Sequence, residues 1–413
     1  MNGVAFGVAS VDWQERIDFA RMRKERLSRT QEAMKKKNLA AALLTRGDSI
    51  RYVTGVRGPE FLPGIRYALA FAEYDPIIYE LGDTLSHQKV HCSWVKPENW
   101  RVSYCWLNGT PGPDATRAEI KKWADAIVGD LKAKGLSGEK LGVDALDEAG
   151  RDALRNAGIE TVSVAPVMAE VVRTKTAEEI KCIQMGLAIG NAGFARALEV
   201  IRAGAREDEV GGEVEMALLR AGMEFPHAGF KSGPNTFDVY HIRGIDRLVQ
   251  LGDLCYVNLC SSNYMGYRIC IYRTFIVGRK PNQKEKDWYK KTYDRMYSVL
   301  GEIKPGATTA DAAKHFLPAS TWGYAEERAT LVAEVGHGIG LANYQQPSIS
   351  RLWSLDHPQT FEPGMVIAVE VRDGEPGYGG VRVEEMALVT DKGHEILTTW
   401  PAEEIMTVQD LSA

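Results

Sequence analysis

Two stretches, Met365-Val-Ile-Ala-Val-Glu370 and Gly379-Gly-Val-Arg-Val-Glu-Glu385, carry acidic residues within apolar, strand-like sequence. A third, Gly336-His-Gly-Ile-Gly340, brackets a histidine with glycines. Burying a carboxylate or an imidazole is costly unless the group is paired, so several of them in strand-like sequence predict a site built on a β-sheet. Taken singly, the histidine could belong to a turn, the first glutamate to an ion pair and the second to an exposed strand face. The candidates are His337, Glu370 and Glu384.

The sequence on either side predicts an α/β chain with two domains. Amphipathic helices are predicted at 21–39 and 117–134, and strands at the apolar runs 40–44, 67–71 and 76–79. This alternation predicts a smaller α/β domain over residues 1–168. A capping box at Thr176-Ala-Glu-Glu179 opens the helices of a second domain, predicted over residues 169–413.

The composition indicates which class of protein the chain belongs to. The chain has 413 residues, 45% of them hydrophobic and 25% charged, with a formal net charge of -5. These values are typical of a soluble globular protein and predict neither nucleic acid nor membrane as a partner. The first residues lack a secretory signal and no apolar run is long enough to cross a membrane, so a cytoplasmic location is expected. Six cysteines without a Cys-x-x-Cys spacing predict free thiols.

The order of the site stretches, together with Val172-Arg-Thr-Lys175 and Lys304-Pro-Gly306, resembles the catalytic domain of the creatinase, prolidase and aminopeptidase P superfamily. The first domain looks like the N-terminal domain of the same superfamily. This resemblance implies a C-terminal pita-bread α/β sandwich with a smaller α/β N-terminal domain. It also implies a small-molecule substrate and a homodimer whose subunits complete each other's active sites.

The resemblance also implies where metal ions would bind. In the metallopeptidases of this superfamily, two metal ions are held by two aspartates, one histidine and two glutamates. The matching histidine and glutamates are His337, Glu370 and Glu384. The segment that resembles the aspartate-bearing strands has Asn258 or Cys260 at the first position and Cys270 at the second. Two adjacent divalent cations need carboxylate countercharge, so this change predicts an enzyme with no metal or other cofactor.

A single zinc or iron ion is the alternative, because thiolate, imidazole and carboxylate together suit such an ion. Its ligands would be Cys260, Cys270, His337, Glu370 and Glu384. Two small buried cysteines that only fill strand positions are a third interpretation.

The creatinase branch of the superfamily similarly lacks the aspartates and uses a histidine, which matches His241, as its general acid and base. The chain is therefore predicted to hydrolyse a C–N bond in a small cationic or zwitterionic molecule without metal. In this mechanism His241 moves the proton. Glu370 and Glu384 hold the cationic group, and His337 hydrogen-bonds the tetrahedral centre.

Aromatic residues and arginines around the site are the predicted substrate contacts. Aromatic faces bind cations, although aromatic residues in strands often only pack. Arg351 and Arg66 lie near positions where the creatinase branch binds the substrate carboxylate, Arg66 reaching in from the other subunit; solvated surface arginines are the alternative. The predicted substrate-binding residues are Tyr272, Arg351, Arg66, Tyr240 and Tyr267, and the wider aromatic set adds Tyr264, Tyr344, Trp322 and Trp353.

Three other functions stay open at this point. The dimethylsulfoniopropionate lyases of the superfamily resemble the chain in the length of the 258–274 segment, which suggests a β-elimination enzyme. A residual Xaa-Pro metallopeptidase would need metal despite the lost aspartates. A catalytically inactive binding domain is disfavoured, because it has no reason to keep four costly polar side chains at matching positions.

Overall fold

The computed structural model describes residues 17–57, 65–237, 244–331 and 334–409. They fall into two compact units, Asp18–Val172 and a second that runs from Arg173 onward. Each unit combines helices with β-sheet, which confirms the predicted α/β class with two domains. Within the described ranges no helix is both apolar enough and long enough to cross a membrane.

The first unit is built around one mixed sheet. Its elements are α1 (Phe19–Lys36), β1 (Ala41–Leu44), α2 (Gly47–Thr54), β2 (Tyr67–Phe71), β3 (Ile77–Glu80), α3 (Leu85–His91), β4 (Trp100–Val102), α4 (Pro113–Ala133), β5 (Leu141–Val143), α5 (Glu148–Asn156), β6 (Thr161–Ser163) and α6 (Ala165–Arg173). The strand order is β4-β3-β2-β1-β5-β6. Trp123, Ile127 and Leu131 of α4 pack on this sheet and form its apolar core. The predicted helices and strands of this region are confirmed.

The second unit contains two larger sheets and long helices. Its elements are α7 (Ala177–Val200), α8 (Glu207–Arg220), β7 (Gly229–Ser232), β8 (Leu254–Asn258), β9 (Asn263–Tyr264), β10 (Tyr267–Arg268), β11 (Tyr272–Val277), α9 (Gln283–Gly301), α10 (Thr309–Ala313), β12 (Val335–Gly338), β13 (Gln345–Ile349), β14 (Val366–Glu375), β15 (Gly379–Val389), β16 (His394–Ile396) and β17 (Met406–Val408). One sheet has the order β17-β11-β8-β7 and the other β13-β12-β14-β15-β16. The predicted capping box at Thr176 and Glu179 begins α7.

The two faces of the five-stranded sheet differ in chemistry. Val369 of β14 packs with Val299 of α9 in a continuous apolar core. Because side chains alternate along a strand, Glu370 lies on the opposite face. On that face Thr274 of β11 exchanges hydrogen bonds of 2.7 and 2.9 Å with the backbone of Arg382 on β15. The polar face therefore meets the four-stranded sheet, and the candidate site lies between the two sheets.

The expectation of free thiols is wrong for two of the six cysteines. Cys260 and Cys270 are joined by a disulfide, whereas Cys92, Cys105, Cys182 and Cys255 are free. The cause is strand register. Asn258 pairs with Tyr272 across β8 and β11, and the ladder continues with the Leu259 N–H donating to the Ile271 carbonyl. In the same register Cys260, two residues after Asn258, lies opposite Cys270, two residues before Tyr272.

Candidate active site

Three neighbouring strands bring the predicted histidine and glutamates to one face of the five-stranded sheet. Glu370 on β14 pairs directly with Glu384 on β15. His337 on β12 pairs with Ala368, which is two residues from Glu370 and therefore on the same face. All three side chains are buried, with relative exposures of 1% for His337, 2% for Glu370 and 0% for Glu384. The sequence prediction that these residues share a site is thus consistent with the strand register.

The two glutamates form an electrostatically unfavourable pair. Burial raises the pKa of both carboxyls, and the charge of Glu370 raises that of Glu384 further. Glu370 Oε2 and Glu384 Oε1 have no hydrogen-bond partner within the described parts of the chain. A carboxylate pair in this environment must share a proton or hold a cation.

One arginine offsets part of this negative charge. Arg382 lies on β15 two residues before Glu384, and its Nε is 3.8 Å from Glu370 Oε2. Its guanidinium carbon is 4.6 Å from the ring centre of Tyr272. Sequence reasoning missed this residue, although its alternation with Glu384 in Val-Arg-Val-Glu indicates that both face the same side. Arg372 also acts on Glu370 and Arg273 on Glu384, but burial outweighs all three arginines and keeps the pKa of both carboxyls raised.

The Cys260–Cys270 pair lies beside Glu384. One ligand atom from each of Cys260, Cys270 and Glu384 lies within 4.8 Å of the others, and all three residues are buried. Cys260 Sγ is 3.2 Å from Glu384 Oε2. A disulfide sulfur has no proton to donate, so this contact is a hydrogen bond only when Cys260 is a thiol.

Asn258 is engaged by its own neighbours. Its side-chain amide donates to the Tyr272 hydroxyl, and its Oδ1 accepts a hydrogen bond of 2.6 Å from the Cys260 N–H. A neutral amide held in this way supplies neither countercharge nor a carboxylate ligand. The residues present therefore do not fit a pair of carboxylate-bridged metal ions. They do fit one ion, because two sulfur atoms and a buried carboxylate already converge.

The other predicted contact residues have partners within their own units. The Tyr267 hydroxyl donates to Glu179 Oε1 at 3.0 Å, and Arg351 Nε donates to Glu327 Oε1 at 3.0 Å. Arg66 lies in the first unit, where it is buried and paired with Glu80. Tyr240 and His241 lie outside the described residues.

Three of the predicted aromatic rings contact other side chains of the protein. Arg382 covers the face of Tyr272, and Arg372 lies 4.6 Å from the ring centre of Trp322. The ring of Tyr344 lies 4.3 Å from that of His337. These aromatic faces already contact side chains of the protein, and two of them contact its own cations.

Comparisons with known proteins place the chain in a family. Residues 181–391 match the family model described as metallopeptidase family M24, and residues 26–181 match the model described as the creatinase/prolidase N-terminal domain. The Xaa-Pro dipeptidase of Pyrococcus furiosus is 31% identical over 229 residues, which cover 54% of this chain and 62% of that protein. The match thus spans less than two thirds of the length of that relative.

Two further comparisons extend over more of the chain. Creatinase from Bacillus sp. (strain B-0618) is 30% identical over 300 residues, which cover 66% of this chain and 69% of creatinase. A solved structure of an Xaa-Pro dipeptidase from Bacillus anthracis superposes with a TM-score of 0.74 at 24% identity, covering 94% of this chain and 100% of that one. At this identity the superposition establishes the fold.

These comparisons correct two predictions. The metal-independent, creatinase-like hydrolase is wrong, because Xaa-Pro dipeptidases recur among the relatives and the superposed structures. The prediction of no cofactor is wrong for the same reason, since the matching catalytic family is one of metallopeptidases. The error came from giving the lost aspartates more weight than the retained His337, Glu370 and Glu384.

Proposed function

Since this chain belongs to metallopeptidase family M24 and carries a creatinase/prolidase N-terminal domain, we propose that it is a metal-dependent hydrolase of Xaa-Pro dipeptides. One observation carries the proposal. Glu370 and Glu384 are direct cross-strand partners and are buried on the same sheet face as His337. The substrate class follows from the Xaa-Pro dipeptidases among the relatives.

The charges of the site favour a bound cation. Arg382 lowers the pKa of both glutamates, while Arg372 lowers that of Glu370 and Arg273 that of Glu384. Burial outweighs these charges and keeps the pKa of both carboxyls raised. A divalent cation would add countercharge and polarise the scissile carbonyl. The residues that would hold it are Cys260, Cys270 and Glu384.

The protein side chains have distinct tasks in this proposal. Glu370 takes a proton from the attacking water at Oε2, the oxygen without a hydrogen-bond partner within the described ranges. Burial raises the pKa of Glu370 in the metal-free chain. Arg382 Nε lies 3.8 Å from the same Oε2 oxygen and helps to hold the Glu370 carboxylate in position. The Nδ1 atom of His337 lies 3.2 Å from the Gly338 carbonyl oxygen, a contact that helps to fix the orientation of the imidazole.

Proline release tests the proposal. The full chain is reduced, loaded with zinc or manganese, and incubated with a panel of Xaa-Pro dipeptides and with matched dipeptides that lack proline. We expect proline release from the first group, loss of activity on chelation and recovery when metal is returned. Glu370→Gln should lower kcat/KM by about a hundredfold or more, the usual contribution of a general base.

Glu375→Gln is the matched control, because Glu375 lies at the end of the same strand but is exposed and paired with Lys284. Its kcat/KM should stay within about twofold of the wild type. Absence of proline release from a preparation with measured, bound metal would overturn the proposal.

A further inference from the structure

We propose that Cys260, Cys270 and Glu384 bind one thiophilic divalent cation of the zinc type, and that closing the Cys260–Cys270 disulfide expels it. The site would then be active only in the dithiol state. The effect on activity rests on the proposed function, whereas the binding and release of metal do not.

The pairing of β8 with β11 brings the two cysteines of this site together. Cys260 and Cys270 follow β8 and precede β11, in the pairing fixed by Asn258 and Tyr272. Glu384 reaches the same point from β15 in the facing sheet, with Oε2 at 3.2 Å from Cys260 Sγ. The relative exposures are 8%, 3% and 0% for Cys260, Cys270 and Glu384. Three ligands from two packed sheets are therefore held in place before any metal arrives.

The carboxylate oxygens provide a second, independent observation. Glu384 Oε1 and Glu370 Oε2 are buried atoms for which the described ranges offer no hydrogen-bond partner. Burying a carboxylate oxygen without a hydrogen-bond partner lowers the stability of the fold, and a cation in contact with that oxygen offsets the loss. The same two residues are direct partners in the β14–β15 ladder and repel each other when both are ionised. A buried carboxylate oxygen without a hydrogen-bond partner in the described ranges therefore lies beside the two sulfur atoms.

The donor atoms select the class of metal. Thiolate sulfur is a soft ligand that favours zinc, whereas manganese and magnesium favour carboxylate and water oxygens. Two thiolates and one glutamate also match the three protein ligands typical of a catalytic zinc site, which leaves one position for water or substrate. The chain is therefore expected to prefer one zinc ion to a pair of manganese ions.

The disulfide excludes this metal because the same two sulfur atoms cannot be both bonded to each other and available as thiolates. In the reduced state, Cys260 and Cys270 carry the negative charges that hold the ion. A small-molecule disulfide such as glutathione disulfide is the oxidant. One thiolate attacks it to give a mixed disulfide and one glutathione thiolate. The second thiolate then attacks the mixed disulfide, the Cys260–Cys270 bond forms, and a second glutathione thiolate leaves. The ion is released, and the two glutathione thiolates exchange protons with water.

Metal stoichiometry in the two redox states tests the inference. The full chain is reduced, passed through a desalting column, mixed with zinc and freed of unbound metal before elemental mass spectrometry. We expect about one equivalent of zinc in the reduced chain and less than about a tenth after treatment with glutathione disulfide. Reduction should restore binding. Cobalt in place of zinc should give thiolate-to-cobalt absorption in the reduced chain alone.

Variants identify the ligands. Cys260→Ala and Cys270→Ala should each weaken zinc binding by at least about tenfold and abolish its sensitivity to oxidant. Cys255→Ala is the matched control, because Cys255 is a buried free cysteine on β8 outside the cluster. It should bind and release zinc like the wild type. Circular dichroism checks that each variant is folded, and the redox comparison on the wild type needs no variant.

The outcomes separate this inference from the proposed function. Zinc binding that is equal in the reduced and oxidised chains, or unchanged in Cys260→Ala, would overturn the inference even if proline is released. Thiol-dependent zinc binding without proline release from any Xaa-Pro dipeptide would support the inference and overturn the proposed function.

Discussion

Glu334 is a buried carboxylate outside the candidate site that should make stability depend on pH. Its Oε1 lies 2.7 Å from Arg295 Nε, and its Oε2 accepts a hydrogen bond of 2.6 Å from the Leu317 N–H. Burial outweighs these contacts and raises the pKa of Glu334 from 4.5 to about 7. The folded chain therefore holds this proton more tightly than the unfolded chain does. The free energy of unfolding should fall as the pH rises through this interval, by an amount on the order of 3 kcal/mol.

Glu334→Gln tests this expectation, because a glutamine keeps the acceptor for Leu317 and does not ionise. Denaturant unfolding at about pH 5 and about pH 8 should show a smaller stability difference in the variant than in the wild type. Glu326→Gln is the control, since Glu326 is an exposed residue of the same region. An equal pH dependence in wild type and Glu334→Gln would mean that Arg295 compensates the burial of the carboxylate.

At the scale of elements, the β12–β13 contact depends on Gly338. A Cβ on Gly338 would overlap the Gln346 carbonyl oxygen and lie 2.7 Å from its carbon. The pairing of the two strands shifts register between His337 and Gly338, so the close approach belongs to this irregularity. Gly338→Ala must move β13 or rotate β12, and it should lower the free energy of unfolding by about 1–3 kcal/mol.

Gly301→Ala is the matched control for that substitution. Gly301 is the last residue of α9, and a Cβ there has open space around it. Alanine favours a helix over glycine, so this variant should be more stable by about 0.5–1 kcal/mol. Denaturant midpoints of the two variants measure both effects. Equal free energies of unfolding for Gly338→Ala and the wild type would show that β13 can move to accommodate the methyl group without destabilising the fold.

The strands could be predicted from sequence because a strand that is buried on both faces is a continuous apolar run. The apolar runs at 67–71 and 76–79 correspond to β2 and β3, in which every residue is buried. The capping box at Thr176 and Glu179 is equally local, since its two hydrogen bonds join residues three positions apart. Such features need no knowledge of what lies across the fold.

The site could be predicted only in part, because its chemistry depends on register between distant segments. His337, Glu370 and Glu384 stand out by type, but nothing local pairs Cys260 with Cys270 or brings them to Glu384. Each of these contacts requires the pairing of β8 with β11 and the packing of that sheet on β15. Sequence reasoning therefore treated the two cysteines as unpaired thiols. The proton-transfer role predicted for His241 belonged to the metal-independent mechanism and is withdrawn with it, and the homodimer remains a prediction.

At the scale of the whole molecule, the two units have separate apolar cores. The first core contains residues between 41 and 154, and the second contains residues between 254 and 405. The proposed zinc site draws all its ligands from the second unit. A ligand that binds only the folded state stabilises it, by about 2.7 kcal/mol at a hundredfold excess over Kd. Zinc should therefore protect the second unit selectively.

Hydrogen exchange of the full chain measures this selectivity. In reducing buffer, zinc should slow the exchange of amides in β8, β11 and β15, whose hydrogen bonds must open before the ligands can separate. Amides in β1 and β2 should exchange at the same rate with and without zinc. The oxidised chain is the control, and there zinc should change neither group, because the disulfide removes the thiolates. Slowing in both units of the reduced chain would mean that they open as one cooperative body. Slowing in the oxidised chain would mean that zinc binds without Cys260 and Cys270.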